Sequence, residues 1–424
     1  MKHVIVGAGP AGVVAAEHLR KYDPQSEVLL LSGEPEPPYS RMAIPYYLID
    51  QIEEKGTHLR KQQDHFRNSG IEVKTSAWVE SVDAQGRRLN LKGGEQIGYD
   101  RLLLATGSRP VIPPIPGMDR DGVHTCWTLQ DARGIVERAK PGAHVVLIGA
   151  GFIGCIILES LALRKTELTV VEQQNRMVPR MMDDTAGGLI KRWCESKGVS
   201  VHTSTKVEAV EAGNGEHPLS VKLDHGAHVP ADLVIVAVGV QSNTEFLDGT
   251  GVKTDQGVLV DRHLQSSVRG IYAAGDVAQG LDFSTGEFSV HAVQPTAADH
   301  GRIAASNMAG RTQEFRGSVN MNVLDTLGLI SSSFGLWMGV EGGDSVELHE
   351  PERFRYLNLQ FQDDLLVGAS ALGLTEHVGV IRGLIQSKVR LRGWKQKLMD
   401  DPTRLMEAYL ARTQAIGHNA PVLA

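Results

Sequence analysis

The 424-residue sequence predicts an α/β chain with two parallel-sheet modules and a smaller α+β segment at its C-terminal end. Three observations predict this. An apolar strand runs into a glycine-rich turn and a helix at the start of the chain. The same order recurs from His144. Beyond about Asn320 the pattern changes to short alternating stretches without a glycine turn.

The first nucleus is Lys2-His3-Val4-Ile5-Val6, then Gly7-Ala8-Gly9-Pro10-Ala11-Gly12, then a helix over Val13–Leu19 with Val13, Ala16 and Leu19 on one face. Strand, G-x-G-x-x-G and helix in this order form the dinucleotide fingerprint of a Rossmann-like module. The first glycine permits the tight turn and the second lets a pyrophosphate approach the backbone. The third lets helix pack on strand, and the helix N-terminus offers unsatisfied N–H groups to phosphate. An acid is expected about 20 residues on, to bind a ribose hydroxyl. Glu34 follows the next apolar strand, Val28–Leu31, and takes that place.

From Glu34 to Tyr47 the chain carries four prolines, which exclude a regular helix or central strand through much of it. This rigid, aromatic-bearing loop follows the ribose-binding strand and is placed to approach the reactive end of a cofactor. Thr57–Gly70 reads as a helix with Leu59 and Phe66 on it and Gly70 at its C-cap. Short strands follow at Ile71–Val73 and Trp78–Val79, and Tyr99–Gly107 is a buried strand ending in small residues. Pro110, Pro113, Pro114 and Pro116 then form a stiff exit that reads as a domain boundary.

The second nucleus comprises the strand His144–Ile148, the turn Gly149-Ala150-Gly151-Phe152-Ile153-Gly154 and a helix over Cys155–Leu163. The strand Leu168–Val171 ends at Glu172, 18 residues beyond Gly154. An acid there favours a free ribose 2′-OH, hence NADH in preference to NADPH, although the neighbouring Arg176 is of the type that accommodates a 2′-phosphate. Asp232–Gly239 is a further strand that closes this module near residue 242. Gly270–Val277 is a strand ending in Gly-Asp, and Gln294–Met308 a helix with Pro295 in its first turn and Gly310 at its stop.

In the C-terminal segment, Leu357–Phe361 and Leu365–Ala369 read as strands joined at Asp363-Asp364, and helices are expected at Glu376–Gln386 and Pro402–Thr413. The net charge of −7 argues against a nucleic-acid surface, and no apolar run is long enough for a membrane span. The N-terminal strand has no secretory leader before it, so a cytoplasmic location is expected. Cys126, Cys155 and Cys194 form neither a C-x-x-C nor a zinc pattern, and no metal is expected. His291 and His300 flank the helix at Gln294, but spacing gives neither a carboxylate partner.

Two fingerprints about 140 residues apart, together with Gly-Ile-Tyr-Ala-Ala-Gly-Asp at 270–276, resemble the pyridine nucleotide-disulfide oxidoreductase superfamily. Within it the chain looks most like rubredoxin and ferredoxin reductases and the flavin part of assimilatory nitrite reductase. The resemblance implies a glutathione-reductase-like fold. Its FAD domain would span 1–117 and 243–319, its NADH domain 118–242, and an α+β interface domain 320–424. Gly7, Gly9, Ala11 and Gly12 would hold the FAD pyrophosphate, with Glu34 on the ribose and Val79 by the adenine. Arg41 and Arg109 would contact the FAD, Asp276 its ribityl chain, and Val293 would sit by the flavin ring. Gly149, Gly151, Phe152, Ile153, Gly154 and Glu172 would hold NADH, with Gly239 lining its cleft.

Two departures from the superfamily pattern matter. Relatives that reduce coenzyme A disulfide or oxidise NADH directly carry a cysteine in the proline-rich loop, where this chain has Met42 before Ala43-Ile44-Pro45-Tyr46. A thioether forms neither a thiolate nor a mixed disulfide. Many relatives also have a glutamate two residues after the second turn, where this chain has Ile156, and Glu159 stands a turn further along. The expected function is an FAD-dependent oxidoreductase that takes hydride from NADH and passes single electrons to an iron–sulfur or rubredoxin-like protein. Two alternatives stay open: an NADH-dependent reductase of a small molecule (quinone, oxygen or disulfide) entering beside Tyr46 and Tyr47, and a redox-sensing flavoprotein scaffold. A homodimer is left open by the resemblance.

Overall fold

The computed structural model describes residues 1–62 and 64–419. The chain divides into two compact units, one made of Met1–Val111, Trp127–Leu129 and Val240–Ser318, the other of Ile112–Cys126, Gln130–Gly239 and Val319–Ala424.

The first unit is built on a parallel sheet with the strand order Ile271–Ala273, Arg101–Leu104, Lys2–Val6, Glu27–Leu31, Glu72–Lys74. Val4, Ile5, Leu30, Leu31 and Leu102–Leu104 are fully buried, as the continuous apolar runs of a sheet covered on both faces require. Helices Pro10–Tyr22 and Gln294–Met308 pack closely against each other. Gly301 allows this approach, since a Cβ there would fall 2.3 Å from the carbonyl oxygen of Ala11. An antiparallel sheet of Val79–Asp83, Arg88–Leu91 and Gln96–Gly98 adds Val82, Leu89, Leu91 and Ile97 to the same core.

The second unit repeats the parallel plan, with strand order Ser200–His202, Glu167–Val171, His144–Ile148, Leu233–Val236, Val123–His124. Helices Phe152–Leu163 and Asp184–Ser196 belong to it. The C-terminal segment is a five-stranded antiparallel sheet ordered Met321–Thr326, Leu329–Gly335, Leu365–Leu372, Arg355–Gln362, Asp344–Glu350. This sheet lies in the same compact unit and docks on helix Asp184–Ser196. The Trp193 indole N–H donates to the carbonyl oxygens of Thr326 and Leu327 at 3.1 and 3.2 Å. The Tyr356 hydroxyl donates to Asp183 Oδ2 at 2.6 Å, while Asp183 Oδ1 caps the helix by accepting Ala186 N–H at 2.8 Å.

The structure corrects the sequence reading at several elements. The helix expected over Thr57–Gly70 is only a 3-10 turn at Glu54–Thr57 and a single α-turn at His65–Asn68. Lateral bonds compete with helix here. Leu59 N–H goes to Pro38 O, and Arg60 and His65 both reach back to Glu17 on helix Pro10–Tyr22. The proline-rich loop, conversely, holds a 3-10 turn at Arg41–Ala43 leading into helix Ile44–Leu48, because Pro45 falls in the first helical turn where its missing N–H costs nothing. The strand before Gly-Asp ends at Ala273, and Gly275–Val277 forms a 3-10 turn with Gly275 at φ +77°. Helices Asp184–Ser196 and Gly393–Asp400 and strands Met321–Thr326, Leu329–Gly335 and Asp344–Glu350 were not read from the sequence. Among the described residues no helix is long and apolar enough to cross a membrane.

Candidate functional site

In the first unit the carboxyl ends of the parallel strands lead into Gly7, Ser32, Ala105 and Ala274, so the loops that follow gather at one edge of the sheet. Gly7 lies at φ +111°, and a Cβ there would fall 2.0 Å from the Ala105 carbonyl oxygen. A Cβ on Gly12 would fall 1.9 Å from the Gly7 carbonyl oxygen, whereas one on Gly9 would meet no atom within 4 Å. Space is therefore open beside the backbone at Gly9, at the start of a helix with no side-chain cap and no acid in its first turn. Ala11 is buried against Gly275, whose Cβ position would be 3.1 Å from the Ala11 Cβ.

Glu34 and Arg41 are joined directly, and Arg41 reaches Asp276 only through its charge. Glu34 Oε1 accepts from Arg41 Nη2 at 2.7 Å, and Glu34 Oε2 from the Tyr39 hydroxyl at 2.5 Å. Arg41 Nη1 donates to the carbonyl of Trp127 at 2.7 Å, and its guanidinium lies over the Trp127 and Tyr39 rings. Burial pushes the Asp276 carboxyl up, opposed by the hydrogen bond from Ser108 Oγ at 3.1 Å and by the positive charge of Arg41. Met42, beside Arg41, is half exposed. Arg109 turns to Asn243 and Glu245. Val79 is buried in the core of the unit, 8% exposed. Val293 is the N-cap residue of helix Gln294–Met308, and Ser40 Oγ donates to Gln294 Oε1 at 3.0 Å, tying the proline-rich loop to that helix start.

Tyr39, Ser40, Ser108 and Trp127 were not read as site residues from the sequence; the last three act through partners far along the chain, whereas Tyr39 bonds Glu34 only five residues away. The Tyr39-Ser40-Arg41 run in the proline-rich loop was the one available signal. Spacing along the chain gives His291 no carboxylate partner, and the structure supplies one. His291 Nε2 lies 3.3 Å from Asp282 Oδ2 and 2.9 Å from Ser289 Oγ. Although burial acts to raise it, the Asp282 carboxyl is held below its usual range by His291 and by the N–H groups of Ser284 and Thr285.

The second unit repeats the glycine geometry. Gly149 is at φ +100°, a Cβ on Gly154 would fall 2.2 Å from the Gly149 carbonyl oxygen, and Gly151 again faces open space. Helix Phe152–Leu163 starts without a side-chain cap or an acid in its first turn, with Phe152 and Ile153 half buried there. Glu172 is 6% exposed, and each carboxylate oxygen accepts a backbone N–H at 2.8 Å, one from Ala150 and one from Gln174. Gly239 is at φ +129° with open space on its side-chain face. Ile156 is half buried. Glu159 is half buried, and burial together with the like charge of Asp325 raises its carboxyl. Burial pushes the Cys126 and Cys194 thiols up to about 12, and that of Cys155 well above its usual value.

Residues 1–301 match the pyridine nucleotide-disulphide oxidoreductase family. The chain belongs to that family. Its oxidoreductase members are FAD-dependent and use a pyridine nucleotide. Among curated relatives, the epsilon subunit of the NADH-dependent phenylglyoxylate dehydrogenase of Aromatoleum evansii is 29% identical over 97% of this chain and 98% of its own length. The NADH oxidase of Methanocaldococcus jannaschii is 31% identical over 76% of this chain and 73% of its own. The NAD-dependent persulfide reductase from A. fulgidus is 26% identical and superposes with a TM-score of 0.85, over 93% of this chain and 78% of that one. The covalent putidaredoxin reductase–putidaredoxin complex gives a TM-score of 0.89 at 22% identity, over 97% of this chain and 99% of that one, which shows the shared fold.

Proposed function

We propose that this chain is an NADH-dependent FAD oxidoreductase that delivers electrons to an iron–sulfur or rubredoxin-type protein. The observation that carries the reading is the doubled fingerprint, with open space at Gly9 and at Gly151 before an uncapped helix start in each unit. A pyrophosphate fits such a cradle, because the N–H groups and the helix dipole favour its charge.

On this reading Gly7, Gly9, Ala11 and Gly12 hold the FAD pyrophosphate, Glu34 the ribose and Asp276 the ribityl chain. Arg41 and Arg109 contact the FAD, Val79 lies by its adenine and Val293 by the flavin ring. Gly149, Gly151, Phe152, Ile153, Gly154, Glu172 and Gly239 hold NADH. The domain division at 1–117 with 243–319, 118–242 and 320–424 is proposed on the same ground. When bound, the flavin supplies hydride acceptance and single-electron release, which no side chain of the protein offers. The residues contribute orientation: Glu34 keeps Arg41 directed, and Ser108 holds Asp276.

Met42 and three thiols with raised pKa values support single-electron exit to a protein carrier over a cysteine-based reaction. Rhodocoxin reductase of Rhodococcus erythropolis, 31% identical over 74% of both chains, favours the same reading. The NADH oxidase relative favours the second reading, a small acceptor such as oxygen. Anaerobic reduction of the holoprotein by NADH, followed by mixing with a panel of ferredoxins and rubredoxins, with oxygen and a quinone in parallel, separates them. Reoxidation fastest with a protein carrier supports the proposal; reoxidation fastest with oxygen or quinone overturns it.

A further inference from the structure

Arg176 stands four residues beyond Glu172, in the loop where a Rossmann-like site meets the ribose 2′ position. By residue type it should welcome a 2′-phosphate. Four of its five N–H donors, however, are already engaged. Nε donates to Met182 O at 2.8 Å, Nη1 to Asp184 Oδ1 at 2.6 Å and to Asn175 Oδ1 at 3.0 Å, and Nη2 to Pro179 O at 3.2 Å. The side chain is 20% exposed. Its stem lies over Gly187, where a Cβ would come within 2.9 Å of the Arg176 Cβ and 3.1 Å of its Cδ. Helix Asp184–Ser196 therefore forms one wall of the slot, through Asp184 and Gly187, and the loop before it supplies the other acceptors.

Asp184 is the one charged partner among these four. The adjacent Asp183 already caps the helix, so capping does not require Asp184. Two of the remaining contacts are backbone carbonyls of the loop and the third is a neutral amide, and a phosphate dianion competes with neutral acceptors far better than with a carboxylate.

We propose that Asp184 determines coenzyme specificity by sequestering Arg176. NADPH is then refused twice, once by the carboxylate of Glu172 and once by withholding the cation that would receive its 2′-phosphate. The inference rests on the reading of the second fingerprint as the NADH site. Arg180, exposed in the same loop, is the competing candidate for a 2′-phosphate and must be separated from Arg176 in the test.

The experiment is calorimetric titration of the FAD-loaded protein with 5′-AMP and with adenosine 2′,5′-bisphosphate. In the wild type 5′-AMP should bind the more tightly. Asp184→Ala should tighten the bisphosphate by about tenfold or more, the scale of one charge-assisted hydrogen bond, and leave 5′-AMP within about twofold. Asp184→Glu should stay close to wild type. In Asp184→Ala/Arg176→Ala the gain should vanish, with Arg176→Gln in place of alanine if that variant does not fold. An unchanged bisphosphate affinity in Asp184→Ala, or an equal gain for both nucleotides, overturns the proposal. So does a gain that persists without Arg176, which would hand the role to Arg180. Failure of the wild-type holoprotein to bind 5′-AMP at all would remove the underlying site reading and the inference with it.

Discussion

The carboxylate of Glu172 accepts the backbone N–H of Ala150 at 2.8 Å, inside the glycine turn that it serves. Its other oxygen accepts Gln174 N–H at the same distance, so the acid organises both loops before any nucleotide arrives. Glu172→Ala should strand the buried Ala150 N–H and cost about 1–3 kcal/mol of stability, the exposed Gln174 N–H being free to turn to water. Glu172→Gln, which keeps one acceptor oxygen, should cost about half as much. Urea unfolding followed by fluorescence measures both, and an alanine variant as stable as wild type would refute the organising role.

Gly9 and Gly12 separate binding from folding. Gly9 has φ −75°, and a methyl there meets no protein atom within 4 Å. Gly9→Ala should therefore fold with near-native stability yet hold FAD at least about tenfold more weakly, because the methyl takes up space the pyrophosphate needs. Gly12→Ala would press its methyl to 1.9 Å from the Gly7 carbonyl oxygen. It should lose about 1–3 kcal/mol of stability even in the apoprotein. Flavin fluorescence titration and thermal melting give the two numbers; tight FAD binding by Gly9→Ala would count against the cradle.

His300 should make acid unfolding steeper. Its ring is 2% exposed, lies edge-on to Phe315, and accepts Gly275 N–H at Nδ1 at 3.4 Å, while Nε2 has no partner among the described residues. Burial lowers its pKa from 6.5 to about 3, with the charge of His291 adding to the effect. Above pH 6.5 the residue is neutral in both states and titration favours neither. As pH falls from 6.5 toward 3 the unfolded chain binds a proton that the folded one refuses, so stability declines. The wild type should lose up to about 1.4 kcal/mol per pH unit more than His300→Gln across that window. Parallel stability–pH curves for the two proteins would show that His300 is protonated in the fold.

Thiol chemistry should be absent from turnover. With Cys126 and Cys194 pushed up to about 12 and Cys155 fully buried, native protein should react slowly with alkylating agents and keep its NADH-driven carrier reduction afterwards. Anaerobic titration should take up about one hydride equivalent per FAD. Uptake of two equivalents, or activity lost in a Cys155→Ser variant that retains FAD, would reveal a cysteine redox centre.

Local patterns with a physical signature were readable in the sequence. Both fingerprints, their strands and the helix Gln294–Met308 carry period and punctuation that backbone geometry imposes, and the family match agrees with the reading. Elements decided by distant partners were not. The helix expected over Thr57–Gly70 gives way to contacts with Glu17 and Pro38, which no window along the chain contains. The C-terminal strands Leu329–Gly335 and Met321–Thr326 are rich in serine, asparagine and threonine, so their burial is set by pairing across the sheet and not by apolar alternation. The connected set of Glu34, Tyr39, Arg41 and Trp127 was likewise half visible: the acid and the arginine lie close in sequence, but the Trp127 carbonyl that holds Arg41 lies 86 residues away.

Asp183 answers two modules at once, capping its own helix with one oxygen and receiving the Tyr356 hydroxyl with the other. A fragment cut after residue 318 would therefore lose more than an appendage. The indole N–H of Trp193 would have no carbonyl to meet, the Phe354 ring packed edge-on against it at 5.0 Å would be gone, and an apolar helix face would be bared to water. Anyone dissecting this chain into soluble pieces should keep the last hundred or so residues with the second nucleotide module, whatever boundary the proline-rich exit at 110–116 invites on the other side.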